Sequence, residues 1–162
     1  MAKGSTLKDV QKRIDDTVRK RLDEQAREAL QHIRDRTLKG IGTNGRRFKP
    51  YAPSTAKRKG RREPVTLRQS LDMMNSLHTR SGGKNRREVV FRDRGRNERI
   101  GRYHQYGTRN REAGARRERM PARRWFGLTL RFARQSSQKF GRPFEVITPS
   151  NKSRLFKIRI SV

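Results

Sequence analysis

The sequence has no cysteine, and none of its apolar runs approaches the ~18 residues that a membrane span needs. Disulfides and membrane insertion are therefore excluded, and the first ten residues also lack the apolar core of a signal peptide. Only 30% of the 162 residues are hydrophobic, whereas 36% are charged, so little apolar surface offsets the entropy lost on folding. We expect a single domain, residues 1–162, whose core is completed by other copies or another partner.

Acidic residues are also scarce, since 15 Asp and Glu face 44 Lys and Arg and leave a net charge of +29. Residues 1–38 are nearly balanced, with ten basic and seven acidic side chains, whereas residues 39–162 hold 34 and 8. Much of the excess is arginine in residues 57–62 and 109–124, which either form solvated loops or contact phosphates or carboxylates of a partner. The candidate contact residues are Lys57, Arg58, Lys59, Arg61, Arg62, Arg109, Arg111, Arg116, Arg117 and Arg119.

Catalytic and cofactor signatures are missing as well. Residues 40–45 match the letters of a dinucleotide-binding fingerprint, but they follow a predicted helix and lead into a proline-rich loop, so the required strand is absent. His32, His78 and His104 have no second ligand at a metal-binding spacing. The sequence therefore predicts no enzyme activity, no catalytic residue, no cofactor and no metal site.

The strongest periodic signal is an apolar stripe that runs from Leu7 to Ile33 in steps of three and four, which predicts a long amphipathic helix. Thr6 and Asp9 can form a capping box at its start, and Gly40 can end it. A helix of ~30 residues is ~45 Å long, more than a domain of this size needs for its own core. Part of the stripe is therefore predicted to pack on another subunit.

Weaker signals divide the rest of the chain. Residues 40–66 are predicted to be a basic loop, because Pro50, Pro53 and Pro64 oppose a regular helix. Residues 67–77 have a helical step that does not exclude a strand, residues 88–91 and 100–103 are predicted strands, and residues 125–140 a second helix. Alternation in residues 154–162 predicts a C-terminal hairpin with 144–148. The predicted class is α+β with an antiparallel sheet, divided into segments 1–39, 40–66, 67–129 and 130–162.

Four short motifs occur in order between Asn44 and Thr129. They are a Gly, aromatic, Pro, Ser/Thr, Lys/Arg loop at 44–59, a Leu and Ser segment at 67–77, a His-Gln-x-Gly signature at 104–107, and Pro-Ala-Arg followed by Phe-Gly at 121–127. In this order they resemble the phage virion morphogenesis family, the tail completion proteins of Mu-like and related tailed phages. The motif residues are Gly45, Phe48, Pro50, Leu67, Ser70, Ser76, His104, Gln105, Gly107, Pro121, Ala122, Arg123, Phe126 and Gly127.

The resemblance implies a structural subunit that forms a ring, expected to be a hexamer, at the tail top or neck. Its implied partners are copies of itself, the tail tube or head–tail connector, and genomic double-stranded DNA in the channel, with no membrane. It also implies a place in the virion, after assembly in the host cytoplasm, and no catalytic residues. His104 and Gln105 are expected to cap a strand, with Gly107 in a turn. The alternative function is a sequence-nonspecific nucleic-acid-binding or packaging protein, which the charge favours.

Overall fold

The computed structural model describes residues 6–51, 53, 56–57, 60, 67, 71–92, 95–109, 118–147 and 156–161. Four helices have defined bounds: α1 Leu7–Leu38, α2 Leu71–Asn75, α3 Arg96–Tyr106 and α4 Leu130–Phe140. The strands are β1 Leu77–Gly83, β2 Arg86–Phe91, β3 Thr108–Arg109, β4 Glu118–Met120, β5 Phe144–Ile147 and β6 Lys157–Ser161. The predicted α+β class is confirmed.

The long N-terminal helix begins and ends where the sequence predicts. Thr6 and Asp9 form both hydrogen bonds of a capping box, and the chain leaves the helix through Gly40 at a φ of 74°. Leu22 is the first buried residue of α1, and Ala26, Ala29 and Ile33 continue the buried stripe. The C-terminal part of α1 therefore carries most of the core contacts, and the partly buried Val18 packs against the same core, whereas residues 7–14 are exposed.

The main sheet has four antiparallel strands in the order β1-β2-β6-β5. The predicted C-terminal hairpin is confirmed, because Val146 of β5 pairs with Ile158 of β6. Val89 of β2 lies opposite Ile158, and both side chains are fully buried in the core cluster that includes Ala29 and Ile33 of α1. One face of the sheet thus packs on α1.

The other face of the sheet carries a row of alternating charges. By register, Arg80 of β1 lies opposite Glu88 of β2, Glu88 opposite Arg159 of β6, and Arg159 opposite Glu145 of β5. Arg80 donates to Glu88 at 2.9 Å, Arg159 donates to Glu145 at 2.8 Å, and Lys157 lies 3.1 Å from Glu88. Burial raises the pKa of Glu88, but hydrogen bonds from Lys157 and Arg80 outweigh it and hold the pKa below its usual value.

The predicted strand at 100–103 is wrong, because these residues lie within α3. The buried residues of this helix are Glu98, Gly101 and Gln105, which have helical spacing but are not apolar, so hydropathy shows no period there. A Cβ on Gly101 would lie 2.9 Å from the Phe91 ring and 3.0 Å from the Trp125 ring. Glycine lets α3 approach the aromatic core closely, and the strands that pair with β2 are β1 and β6.

Three other boundaries differ from the predictions. The predicted helix at 125–140 begins only at Leu130, where the Thr129 hydroxyl accepts from the Phe132 N–H, and Trp125 lies before it in a segment that is neither helix nor strand. Within the predicted loop 40–66, the chain is helical at Pro53, Ala56 and Lys57. In segment 67–77, where the sequence allowed a helix or a strand, residues 71–75 form a helix and Leu77 begins a strand.

Candidate assembly site

The four sequence motifs come together in the folded chain. Phe48 of the first motif, Leu67 of the second and Trp125 and Phe126 of the fourth belong to one buried cluster. Phe126 also lies beside Phe156, with ring centroids 5.0 Å apart. The third motif reaches this cluster through hydrogen bonds, so motif residues that are distant in sequence build one structural centre.

Gln105 is the polar centre of that cluster. Its Oε1 accepts hydrogen bonds from the backbone N–H groups of Trp125 and Phe126, both at 3.0 Å, and the side chain is buried. The backbone carbonyl of His104 accepts from the Arg123 N–H at 2.6 Å. The prediction that these residues cap a strand is wrong, since they end α3. The unusual turn at Gly107 is confirmed by a φ of 73°.

Arg36, near the end of α1, also binds the segment that contains Trp125 through hydrogen bonds to backbone carbonyl groups. Its guanidinium donates to the carbonyl of Ile41 at 2.7 Å and of Gly127 at 3.2 Å, and also to that of Trp125. Burial lowers the pKa of Arg36 to about 10. We did not predict this role, because an arginine in the last turn of a helix ordinarily needs only the helix dipole to explain it.

A turn in the first motif abuts the fourth. Gly45 has a φ of 75°, which favours glycine, and the Gly42 N–H donates to the Arg46 carbonyl at 2.7 Å. The Thr43 N–H donates to the Arg124 carbonyl at 2.8 Å. These bonds fix residues 42–46 against residues 123–124.

The remaining motif residues have smaller parts in this arrangement. The Ser76 hydroxyl donates to the Met73 carbonyl at 2.7 Å and ends α2. Gly127 is buried, whereas Pro50 and Ala122 are exposed and Pro121 is partly exposed. Ser70 lies outside the described residues.

The candidate contact arginines are only partly described. Lys57 is exposed. Within the predicted loop 109–124, Arg109 lies in β3 and Arg119 lies in β4, and these two short strands pair. The structure therefore corrects the loop prediction at residues 109 and 118–120. The others fall outside the described residues: Arg58, Lys59, Arg61, Arg62, Arg111, Arg116 and Arg117.

Two exposed apolar surfaces remain. At the start of α1, Leu7 is 89% exposed, Val10 43% and Ile14 52%. Asp15 forms an ion pair with Lys84 in the β1–β2 turn at 2.8 Å. We call residues 7–14 the α1 overhang. The second surface is a cleft of about 570 Å³ beside β5, which we call the β5 cleft; its apolar lining includes Tyr106, Phe126, Leu128 and Val146.

Within the described ranges, no group of three or more His, Cys, Asp or Glu side chains is placed to hold a metal ion. None of the helices searched there combines the length and apolar character of a membrane span. The described motif residues supply packing, turns and backbone hydrogen bonds.

Comparison with known proteins gives one match. Residues 5–139 match the model of the phage virion morphogenesis family, a range that includes α1 and most of α4 and extends beyond the four motifs. Searches of curated proteins and of solved structures found no match to this chain.

Proposed function

Because the chain belongs to the phage virion morphogenesis family and so has a role in the structure or assembly of a phage virion, we propose that it is a tail completion subunit. In this proposal it is a structural protein without enzyme activity that closes the tail and joins it to the head. It assembles in the host cytoplasm and stays at the tail top or neck of a Mu-like virion. Its neighbours there are the tail tube or the head–tail connector.

The α1 overhang is the observation that carries this proposal. Its apolar side chains are exposed although they continue the stripe that is buried from Leu22 onward. An unpartnered apolar stripe of this kind is stabilised when it is buried on another surface. The family's virion role makes another copy of this chain the simplest partner.

The β5 cleft supplies a complementary surface on that copy. Tyr106 and Val146 in its lining are 50% and 43% exposed. The overhang and the cleft are different surfaces of one chain, so a contact between them is heterologous, and heterologous contacts close into rings when the rotation fits. We propose a ring of six copies built in this way.

The test replaces the three exposed apolar residues with serine, in the variant Leu7→Ser, Val10→Ser, Ile14→Ser. Because these side chains contribute little to the monomer core, we expect an unchanged far-ultraviolet circular dichroism spectrum and a fall in mass, by light scattering, from oligomer to monomer. The matched control, Lys12→Ser, Asp16→Ser, Lys20→Ser, changes the opposite face of α1 and should still assemble. An oligomer that survives the first set would overturn the proposed contact.

The virion provides a second readout. We expect several copies at one position on the tail axis of assembled particles, detected by labelling. If the protein is absent from purified virions, a structural role is contradicted and a transient assembly factor takes its place.

A second candidate, sequence-nonspecific nucleic-acid binding, is favoured by one observation. Residues 40–62 and 119–144 contain no acidic residue, and they hold eight and seven Lys or Arg respectively. The hydrogen bond between Thr43 and Arg124 joins these two stretches. The two proposed functions are compatible if the ring surrounds DNA.

A further inference from the structure

Many basic side chains of the main sheet are neutralised within the chain. Arg87 pairs with Asp23 of α1, and Lys157 and Arg80 pair with the buried Glu88. Lys139 of α4 likewise contacts Glu28 at 2.5 Å. Apart from Lys139, the Lys and Arg residues of the two acid-free stretches, residues 40–62 and 119–144, carry about half of the net charge of +29.

These stretches form the walls of a second cleft, of about 340 Å³, which we call the basic cleft. One wall is the turn from Gly42 to Lys49, and the other is the segment from Ala122 to Arg124. The basic side chains in its lining are Arg46, Arg47, Lys49, Arg123 and Arg124. The hydrogen bond from Thr43 to Arg124 holds the two walls together.

Among the described residues, the guanidinium groups of this cleft have no ion pair with an acidic side chain. Arg46, Arg47 and Arg124 are exposed, and none of them forms an ion pair within the described part of the chain. Arg123 is only 4% exposed, and its Nε has no hydrogen-bond partner among the described residues. Its guanidinium lies 5.6 Å from the centroid of the Tyr51 ring. Burial lowers the pKa of Arg123, so its charged form gains from a bound anion.

We propose that the basic cleft binds phosphate groups of a nucleic-acid backbone. Guanidinium groups match the geometry of phosphate oxygens and bind them through paired N–H groups. The aromatic residues next to the cleft, Phe48 and Tyr51, are both 7% exposed, so no exposed ring is available there to stack on a base. The contacts are therefore with the backbone and independent of sequence.

The basic cleft and the β5 cleft share two described lining residues, Ala122 and Arg124, whereas Arg46 and Arg47 line the basic cleft alone, so changes at Arg46 and Arg47 test phosphate binding separately from the ring. The basic cleft would still bind phosphate if the protein proved to be a monomer. The affinity for DNA therefore tests the basic cleft, and the mass in solution tests the ring.

The test compares two variants that each remove two positive charges. Arg46→Gln with Arg47→Gln changes the basic cleft, and Arg131→Gln with Arg134→Gln changes exposed arginines of α4 that do not line it. The affinity of the full chain for a short duplex DNA is measured over a range of NaCl concentrations. At about 0.1 M salt the cleft variant should bind roughly 10- to 100-fold more weakly, and its slope of log affinity against log salt should fall by about 2. The α4 variant should retain most of the wild-type affinity and most of the wild-type salt slope.

Inorganic phosphate separates the sources of the phosphate group. At constant ionic strength, phosphate should raise the melting temperature of the wild type but not of the cleft variant, since a ligand that binds the folded state stabilises it. Equal loss of DNA affinity in both variants, or none in the cleft variant, would overturn the proposal. Unchanged DNA binding with failure to join an acidic neighbour protein would assign the cleft to that neighbour. The mass of each variant, measured alongside, reports on the ring independently.

Discussion

At the scale of single residues, two buried polar side chains hold the segment 123–127. Gln105 accepts from two of its N–H groups, and Arg36 donates to two of its carbonyls. A buried backbone group without a partner costs free energy, so these side chains replace the partners that a strand or helix would provide. Segment 123–127 therefore keeps its position although it is neither a helix nor a strand.

Replacing Gln105 with leucine should destabilise the fold by about 2–4 kcal/mol, because two buried N–H groups lose their acceptor. Urea unfolding followed by circular dichroism measures the change. Gln135→Leu, at an exposed position of α4, is the matched control and should stay within about 0.5 kcal/mol of the wild type. Similar losses in the two variants would mean that the acceptor role of Gln105 is unimportant.

The limits of sequence interpretation are visible at this same scale. Gln105 belongs to the motifs that carry the family resemblance, but the hydropathy pattern predicts no role for it. No pattern in the sequence predicts a role for Arg36. Both act on backbone groups about 20 to 90 residues away, at sequence separations of 20 and 91 for two of the bonds. Such partners follow from the tertiary fold and leave no periodic signal in the chain.

At the scale of elements, α1 and the C-terminal hairpin were predictable because each has a clear apolar period and end signals such as Gly40. Helix α3 was not, because it presents Gly101 and Gln105 to the core. The start of α4 was misplaced for a related reason. Trp125 and Phe126 have apolar side chains at a helical spacing from Thr129, but their backbone N–H groups are bound by Gln105 instead of by a preceding turn.

The contact between α1 and α4 should depend on pH. The His32 ring stacks on Phe132 with centroids 4.1 Å apart, and its Nε2 lies 3.3 Å from the Thr129 hydroxyl. Burial, with the nearby charge of Arg36, lowers the pKa of His32 to about 4, although Asp35 opposes the shift. In the unfolded chain the imidazole is protonated near pH 6.5, whereas in the folded chain it is protonated only near pH 4. The folded state therefore loses stability as the pH is lowered from about 6.5 to about 4.

At about pH 5 the loss attributable to His32 should reach about 2 kcal/mol relative to neutral pH. The measurement is the free energy of unfolding at both pH values for the wild type and for His32→Gln. The variant lacks this titration but keeps the carboxylates, so the difference between the two proteins isolates the histidine. A difference that does not change with pH would show that His32 titrates equally in both states.

At the scale of the whole molecule, the net charge of +29 opposes the compact state. Added NaCl screens this repulsion, so the melting temperature should rise by a few °C between about 0.05 and 0.5 M. Differential scanning calorimetry measures the rise, and the Arg131→Gln, Arg134→Gln variant, with two charges fewer, should show a smaller one. A melting temperature that falls with salt would mean that internal ion pairs such as Arg87 with Asp23 outweigh the repulsion.

The charge row across the sheet has a cation at one end and an anion at the other. Arg80 lies on the edge strand β1 and is 37% exposed, and Glu145 lies on the opposite edge strand β5 and is 57% exposed. Two like edges brought together would place equal charges face to face, whereas unlike edges would extend the alternation. Between neighbouring copies in the proposed assembly, this order of charges would favour a contact between unlike edges, in which every copy has the same orientation.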